Sequence, residues 1–399
     1  MVLSATPISS TARAAAPDLA RGLMLLFIAV ANAPWYLWDE TQGITSAHPI
    51  GATGADLVVQ TIAQIAIDGR TYPMFAALFG YGIWQLYRRQ LDAGAEPALA
   101  RRLLRRRHWW MVAFGAVHAA LLWMGDVVGA WGLAGLVLTW LFLDRRDKTL
   151  VIWSIVFASL LALGAVFSVL GAALVLALGP DAIADTSSFD ARLPIAEPNY
   201  LVSLSYRLGF WLLLAPSQGL LGLVAPAAIL LAIVAARHRV LEAPAEHRPL
   251  LRRVALIGLA IAWGVGALVA AQNAGLLLPR DLDWAFALNN QLAGLAGGLG
   301  YVALFGLIAA RLRPGNRVAS ALQAVGKRSL TCYLAQSVVF APLMSAWGFG
   351  LGAELSSWSI ALVAVLTWLA TVALAVILEA RGLRGPAEWA LRRLVYPRR

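Results

Sequence analysis

From Thr149 to Pro180 the chain carries no charged side chain: "TLVIWSIVFASLLALGAVFSVLGAALVLALGP". About 20 apolar residues suffice for a helix to cross the hydrocarbon of a bilayer, so this stretch is long enough with turns to spare. Runs of similar character recur near 19–38, 71–87, 108–124, 127–143, 208–236, 254–276, 287–310, 329–347 and 358–379. Lipid offers backbone amides no partner, so only helices and closed barrels span it. A barrel would need alternating apolar and polar residues, and these runs are continuous. The sequence therefore predicts an all-α integral membrane protein with about ten transmembrane helices. Its 13% of charged residues agrees, since a soluble domain carries about a quarter.

The charges are sorted along the chain. Threading the spans from a cytoplasmic N-terminus places Arg88, Arg89, Arg101–Arg107, Arg145–Lys148, Arg237–Arg253, Arg311–Arg328 and Arg381–Arg399 on one side. Only Arg70, Arg192, Arg207 and Arg280 fall on the other. Cytoplasmic loops collect Lys and Arg, so an even number of spans with both termini cytoplasmic is expected. The net charge of +11 follows from that asymmetry and implies no nucleic-acid partner. Residues 1–16 read as a disordered cytoplasmic lead-in, 17–380 as the helical membrane domain, and 381–399 as a basic cytoplasmic amphipathic tail. "AVANA" (29–33) resembles a signal-peptidase site, but Arg21 abuts the apolar run and the run continues to Trp38. It is read as an uncleaved first span. The outer segment 179–207, with Asp181, Asp185, Asp190, Glu197 and three prolines, is expected to be a loop with a short interfacial helix, placed to act as a lid.

One cysteine, Cys332, excludes an intramolecular disulfide and a Cys-based metal cluster, and the five histidines have no ligand-like spacing, so no metal is expected. Sixteen tryptophans fit interface belts and packing.

Polar groups in hydrocarbon cost several kcal/mol, so each such residue needs a reason. They fall into two layers. The outer holds Asn32, Asp68, Arg70, His118, Asp126, Gln272, Asn273, Asn289, Asn290 and Gln291; the inner holds Asp18, Arg21, Ser329, Thr331 and Tyr333, with Gln336 and Ser337 deeper. His118 and Asp126 lie in "VHAALLWMGDVVGAWG" (117–132). On one continuous helix eight residues mean about 12 Å of rise and about 80° of rotation. That excludes a direct pair, with Gly125 marking a turn. One reading has His118 bonded to a neighbouring helix and Asp126 capping the next span. The other makes neutral His118 a general base, with Asp126 orienting the acceptor or pairing with Arg70 across an outer rim. Asp68, Arg70, Asn289, Asn290 and Gln336 then line the pocket, Gln336 having interhelical packing as its alternative. Asp18 and Arg21, three apart, can form an ion pair anchoring span 1, or Arg21 beside Gly22 can grip an anion. In "RRLLRRRHWW" (101–110) Arg102, Arg105 and Arg106 read either as positive-inside anchors or as a phosphate clamp.

Five stretches in order resemble the YeiB-like family of bacterial inner-membrane proteins, whose C-terminal region (about 230–399 here) is a domain of unknown function. They are "DLARG" (18–22), "DGRTYPMFAALFGYG" (68–82), "HAALLWMGDVVGAWGLAGL" (118–136), "VGKRSLTCYLAQS" (325–337) and "RGPAEWALRRLVY" (384–396). The resemblance implies a multi-pass protein of the bacterial inner membrane. It also implies a distant likeness to membrane acyltransferases of the acyltransferase-3 and heparan-glucosaminide N-acetyltransferase type, which take acyl groups from cytosolic acyl-CoA. On that likeness Asn32 matches an asparagine of the opening helix, and Arg102-x-x-Arg105 matches a cytosolic RxxR. The acyltransferase-3 group places its histidine in span 1, where this chain has none. The role then falls to His118 or to His48.

Two functions are carried forward. The first is transfer of an acyl group from cytosolic acyl-CoA to a glycan, lipid or small-molecule acceptor at the outer face, with His118, Asn32 and Asp126 catalytic. The second is export of a small polar or amphipathic molecule, because polar residues at both levels also describe a gated path. Membrane lipids are expected partners, and a homodimer is open. A structural or sensory protein without catalysis would pair Asn32, His118 and Asp126 with one another and leave no cavity.

Overall fold

The computed structural model describes residues 15–43, 46–179, 190–313 and 315–396. Most of the lead-in, Asp181 and Asp185, and the last three residues of the tail lie outside these. Among the described residues the chain is helical, with one isolated bridge between Gln42 and Pro49.

Helix α1 (Ala15–Asn32) runs into a 3-10 turn at Ala33–Tyr36, α2 is Gly54–Ala66, and α3 is Thr71–Asp92. Then α4 (Pro97–Leu121) and α5 (Val127–Phe142) form a hairpin ahead of the long α6 (Asp147–Leu178). The short α7 (Leu193–Ala196) leads to α8 (Tyr200–Pro216), a π turn at Ser217–Leu221, and α9 (Val224–Arg237). The chain continues through α10 (Arg248–Asn273), α11 (Ala287–Ala309), α12 (Arg317–Lys327), α13 (Ser329–Met344), α14 (Ser357–Ala380) and α15 (Pro386–Val395).

Each apolar run read from the sequence is helical, the run 208–236 being divided between α8, the π turn and α9. Helix α1 with its 3-10 extension, α6, α10, α11 with the turn before it, and α14 are long and apolar enough to cross a membrane. That makes five candidate spans, or six if the pair Tyr200–Leu221 and Val224–Arg237, bent by 46°, counts as one. Helices α5 and α13 are apolar but shorter, while α3 and α4 carry charged ends. Helix length and composition thus support a multi-span membrane protein and a smaller count than the ten expected. The sequence reading also passed over α2, α12 and α15, which lie in segments taken as loops or tail.

Packing explains why the sheath differs from the centre. Lipid tails are as apolar as leucine, so helices associate through small residues that let backbones approach closely. Helix α9, "VAPAAILLAIVAAR", is buried along most of its length against α3, α6 and α11. Helix α6 exposes Trp153, Leu160, Phe167 and Leu174, and α10 and α14 expose Leu256, Ile261, Leu366 and Leu369. Apolar faces of that extent are what lipid covers.

Candidate functional site

Helix α4 stops at Leu121. The N–H groups of Leu122 and Trp123 both bond back to the His118 carbonyl, at 2.9 and 3.1 Å. The chain then turns through Met124 and Gly125 and restarts with Asp126 as the N-cap of α5. Folding back brings Asp126 Oδ1 to 2.8 Å from His118 Nδ1. The expectation that eight residues keep the two apart is therefore corrected: it holds along a continuous helix, and the helix ends between them. The second carboxylate oxygen, Oδ2, accepts from Gly129 N at 2.6 Å, which makes Asp126 the cap that one reading expected.

Burial of that carboxylate is offset three ways. It accepts a backbone N–H and an imidazole N–H, and it sits at the positive end of the α5 dipole. An ionised carboxylate only accepts, so Nδ1 of His118 carries the hydrogen and a neutral ring leaves a lone pair on Nε2. His118 Nε2 is buried and has no partner among the described residues. The close approach of α4 and α5 requires Gly115: a Cβ there would fall on the Asp126 carboxylate and the Gly129 backbone.

Tyr333 of α13 packs its ring edge-on against His118, centroids 5.4 Å apart. Its hydroxyl accepts from Val127 N at 3.3 Å. The two layers drawn from the sequence thus meet, since Tyr333 had been assigned to the inner one. Beside it lies a cavity with room for about one water molecule, lined by Asn32, Tyr36, Trp123, Tyr333, Gln336, Ser337 and Phe340. Gln336 also donates to the Leu25 carbonyl at 3.0 Å, so it both ties α13 to α1 and lines the cavity. Tyr36 stacks on Trp123 with centroids 4.7 Å apart.

The described part of the 179–207 segment covers this hairpin. Ile195 packs into the same apolar cluster as Trp123, Met124 and Tyr36. Tyr200 donates to the Leu121 carbonyl at 3.0 Å. Arg207, 2% exposed, donates twice to the Ala120 carbonyl at the end of α4, at 3.1 and 2.9 Å. Its guanidinium lies 4.9 Å from the Tyr200 ring and 5.5 Å from that of Trp347.

Arg70 and its neighbours form a second cluster. The fully buried Arg70 donates to Asn290 Oδ1 at 2.5 Å and to the carbonyls of Asp68 and Ala262. Asp68 Oδ2 is 2.7 Å from His48 Nε2. Asn289 bonds to the carbonyls of Ala285 and Ala165 at 3.0 and 3.4 Å. The rim pair suggested for Arg70 and Asp126 is corrected accordingly: the two terminal nitrogens of Arg70 bond to α10, α11 and its own turn, and Asp126 bonds to His118 and Gly129.

At the opposite end of α1, Arg21 pairs with Asp18 at 3.2 Å and donates to the Leu78 carbonyl of α3 at 3.0 Å. Arg102, Arg105 and Arg106 stand exposed on α4 and make no hydrogen bond or ion pair among the described residues. Near them α15 docks on α4. Its Glu388 accepts from the Leu330 and Thr331 N–H groups at 2.8 and 3.1 Å and from the Thr331 hydroxyl at 2.5 Å. A carboxylate from α15 therefore caps α13.

The sequence reading missed Tyr36, Trp123 and Arg207 as site residues, and it missed the contact that Tyr333 makes. Tyr333 and Trp123 stood inside two of the quoted signatures, which was a usable signal. Arg207 gave only its place on the sparsely charged side, and nothing local marked His48 as the partner of Asp68.

Residues 235–398 match the family described as Protein of unknown function (DUF418). The chain is 25% identical to the Uncharacterized protein YxaH of Bacillus subtilis (strain 168), over 98% of this chain and 96% of that one. It is also 25% identical to the Uncharacterized protein YeiB of Escherichia coli (strain K12), over 94% of each. The chain is thus similar to that family over its C-terminal region and to these two proteins along almost its whole length.

Proposed function

We propose that the protein is a membrane-embedded acyltransferase of the bacterial cytoplasmic membrane, with its acyl-CoA donor on the cytosolic side and its acceptor reaching the His118 site from the other. One observation carries the reading: a buried His–Asp dyad with an unpartnered Nε2, its imidazole packed against Tyr333, which lines a water-sized cavity. That is the arrangement of an oriented general base. In the step proposed, an acceptor hydroxyl or amine attacks the thioester carbonyl carbon while its proton passes to His118 Nε2. The carbon–sulfur bond breaks, and the proton ends on the departing thiolate. Asp126 stabilises the imidazolium that forms in between. Asn32, on the cavity wall, offers an amide N–H to the developing oxyanion. Arg102, Arg105 and Arg106, exposed and unpaired, suit the phosphates of coenzyme A. From Arg105 to His118 α4 rises about 20 Å, the distance the acyl end must travel.

The test is free-thiol release. Purified protein in vesicles, given acetyl-CoA and a panel of sugar, glycerol and amine acceptors, should release coenzyme A thiol and yield acylated product by mass spectrometry. His118→Gln should abolish release, and Arg102→Ala with Arg105→Ala should raise the donor KM while leaving kcat largely intact. No thiol release above the His118→Gln background with any acceptor would end the proposal. The broken pair α8–α9 favours export as a second reading, because interrupted helices line transport paths. Movement of an unmodified molecule across the vesicle wall that survives His118→Gln would select it.

A further inference from the structure

Away from the dyad, α3, α9, α10 and α11 line an open-sided cavity of about 480 Å³. This is within the range of roughly 300–1,000 Å³ typical of small-molecule sites. Its walls are almost wholly apolar, from Ala77, Leu231, Ala235, Val254, Leu299 and Val302. Its edge is formed by the segment that joins α9 to α10, through His238, Val240, His247 and Leu250. That segment is pinned in place. Glu242 accepts from Tyr81 and from Gln85, the latter at 2.6 Å, and His238 pairs with Asp147 at 2.9 Å.

The charges on this edge are one-sided. Arg239 stands between His238 and Val240, Arg248 follows His247, and Arg252 and Arg253 flank the lining residues Leu251 and Val254. All four are exposed, and their guanidinium groups make no hydrogen bond or ion pair among the described residues. Glu242 is occupied, which leaves Glu246 as the exposed acid in the same segment. An apolar chamber beside a cationic rim fits an amphiphile with a hydrocarbon tail and an anionic head.

We infer that this chamber binds one acyl tail of an anionic phospholipid, with the phosphate held by Arg248 and Arg252 and their neighbours. The site is separate from the His118 dyad and does not depend on the acyltransferase reading. The tail replaces void with packed contacts, and the arginine forks engage phosphate oxygens in the weakly screened interface.

Native mass spectrometry of the delipidated full chain in detergent tests this, with phosphatidylglycerol and phosphatidylcholine of identical tails as probes. Wild-type protein should take up one phosphatidylglycerol at least tenfold more tightly than phosphatidylcholine. Ala235→Phe and Val302→Phe, which fill the chamber, should each lower binding of both lipids at least tenfold while leaving the melting temperature at or above wild type. Arg248→Gln with Arg252→Gln should keep tail binding and erase the preference between heads. Filled variants that bind like wild type, or a wild type indifferent to the head, would overturn the assignment. So would displacement of bound phosphatidylglycerol by equimolar soluble acyl-CoA, which would give the chamber to a thioester.

Discussion

Two substitutions at Asp126 separate its structural from its chemical role. Asp126→Ala removes the α5 cap, worth about 1 kcal/mol within a range of roughly 0.5–2. It also leaves the His118 Nδ1–H buried and unpaired, at about 1–3 kcal/mol. Because one side chain serves both contacts the two effects do not simply add, and a loss of about 2–4 kcal/mol is expected. Asp126→Asn is different. Its Oδ1 can still accept from Gly129 N, so stability should fall by under about 1 kcal/mol. Its amide N–H then faces His118 Nδ1, which must become an acceptor, and the ring hydrogen moves to Nε2. The fold survives and the base is lost. Tryptophan-fluorescence melting in detergent reads the stability of both variants. Nitrogen-15 NMR of histidine-labelled protein, with His118→Gln used to assign the signal, reads the tautomer. An Asn variant that keeps its hydrogen on Nδ1, or an Ala variant that melts with wild type, would show that Asp126 neither orients nor caps as argued.

Three further outcomes follow from the other clusters. Arg70→Met should cost about 3 kcal/mol or more by melting, because Asn290 and two buried carbonyls lose their donor, whereas exposed Arg102→Ala should stay within about 0.5 kcal/mol of wild type. Glu388→Ala should destabilise by about 1–3 kcal/mol through loss of three hydrogen bonds at the α13 terminus, and limited proteolysis should then cut between α14 and α15, with Glu388→Gln intermediate. Asp190 is held below the ordinary carboxylate range by its hydrogen bonds from Arg192, which also donates to the Glu40 carbonyl at 3.0 Å. Its contribution is complete above the unfolded value of about 3.9 and is lost as pH falls through the lower folded value. Acid should therefore speed proteolysis near 190–200 in wild type, and Asp190→Asn should be fast at every pH.

The helices were legible where apolar length alone decides, as in α6 and α14. Helices α12 and α15 were not, because their charged faces lower the mean hydropathy, and α2, whose one charged residue is Asp56, is at 13 residues too short to read as a span. At the site, His118, Asp126 and Asn32 could be named from the cost of polar groups in lipid. Their joining could not, since it depends on α4 ending at Leu121, and nothing in "LLWMG" fixes that end to within one turn. Tyr333 was placed by depth along its own helix, whereas its contact with His118 is set by how α13 lies against α5. Arg70 was drawn toward the nearest acid in the same sequence layer. In the fold its terminal nitrogens bond to carbonyls and an amide, partners that a search for opposite charge overlooks.

The Glu388 cap carries a consequence for how the chain is made. Helix α13 leaves the ribosome before α14, and α14 before residue 388, so the first turn of α13 has no carboxylate on its N–H groups until that residue emerges. Chains stalled or truncated ahead of it hold exposed donors on α13, while Lys327 and Arg328, at the junction of α12 and α13, can already pair with Glu379 of α14 at 2.6 Å. Docking of α15 on α4 then closes a loop between early and late segments, which makes emergence of residue 388 the event that locks the α13 terminus. A quality-control protease that recognises unlatched membrane helices would find its signal there.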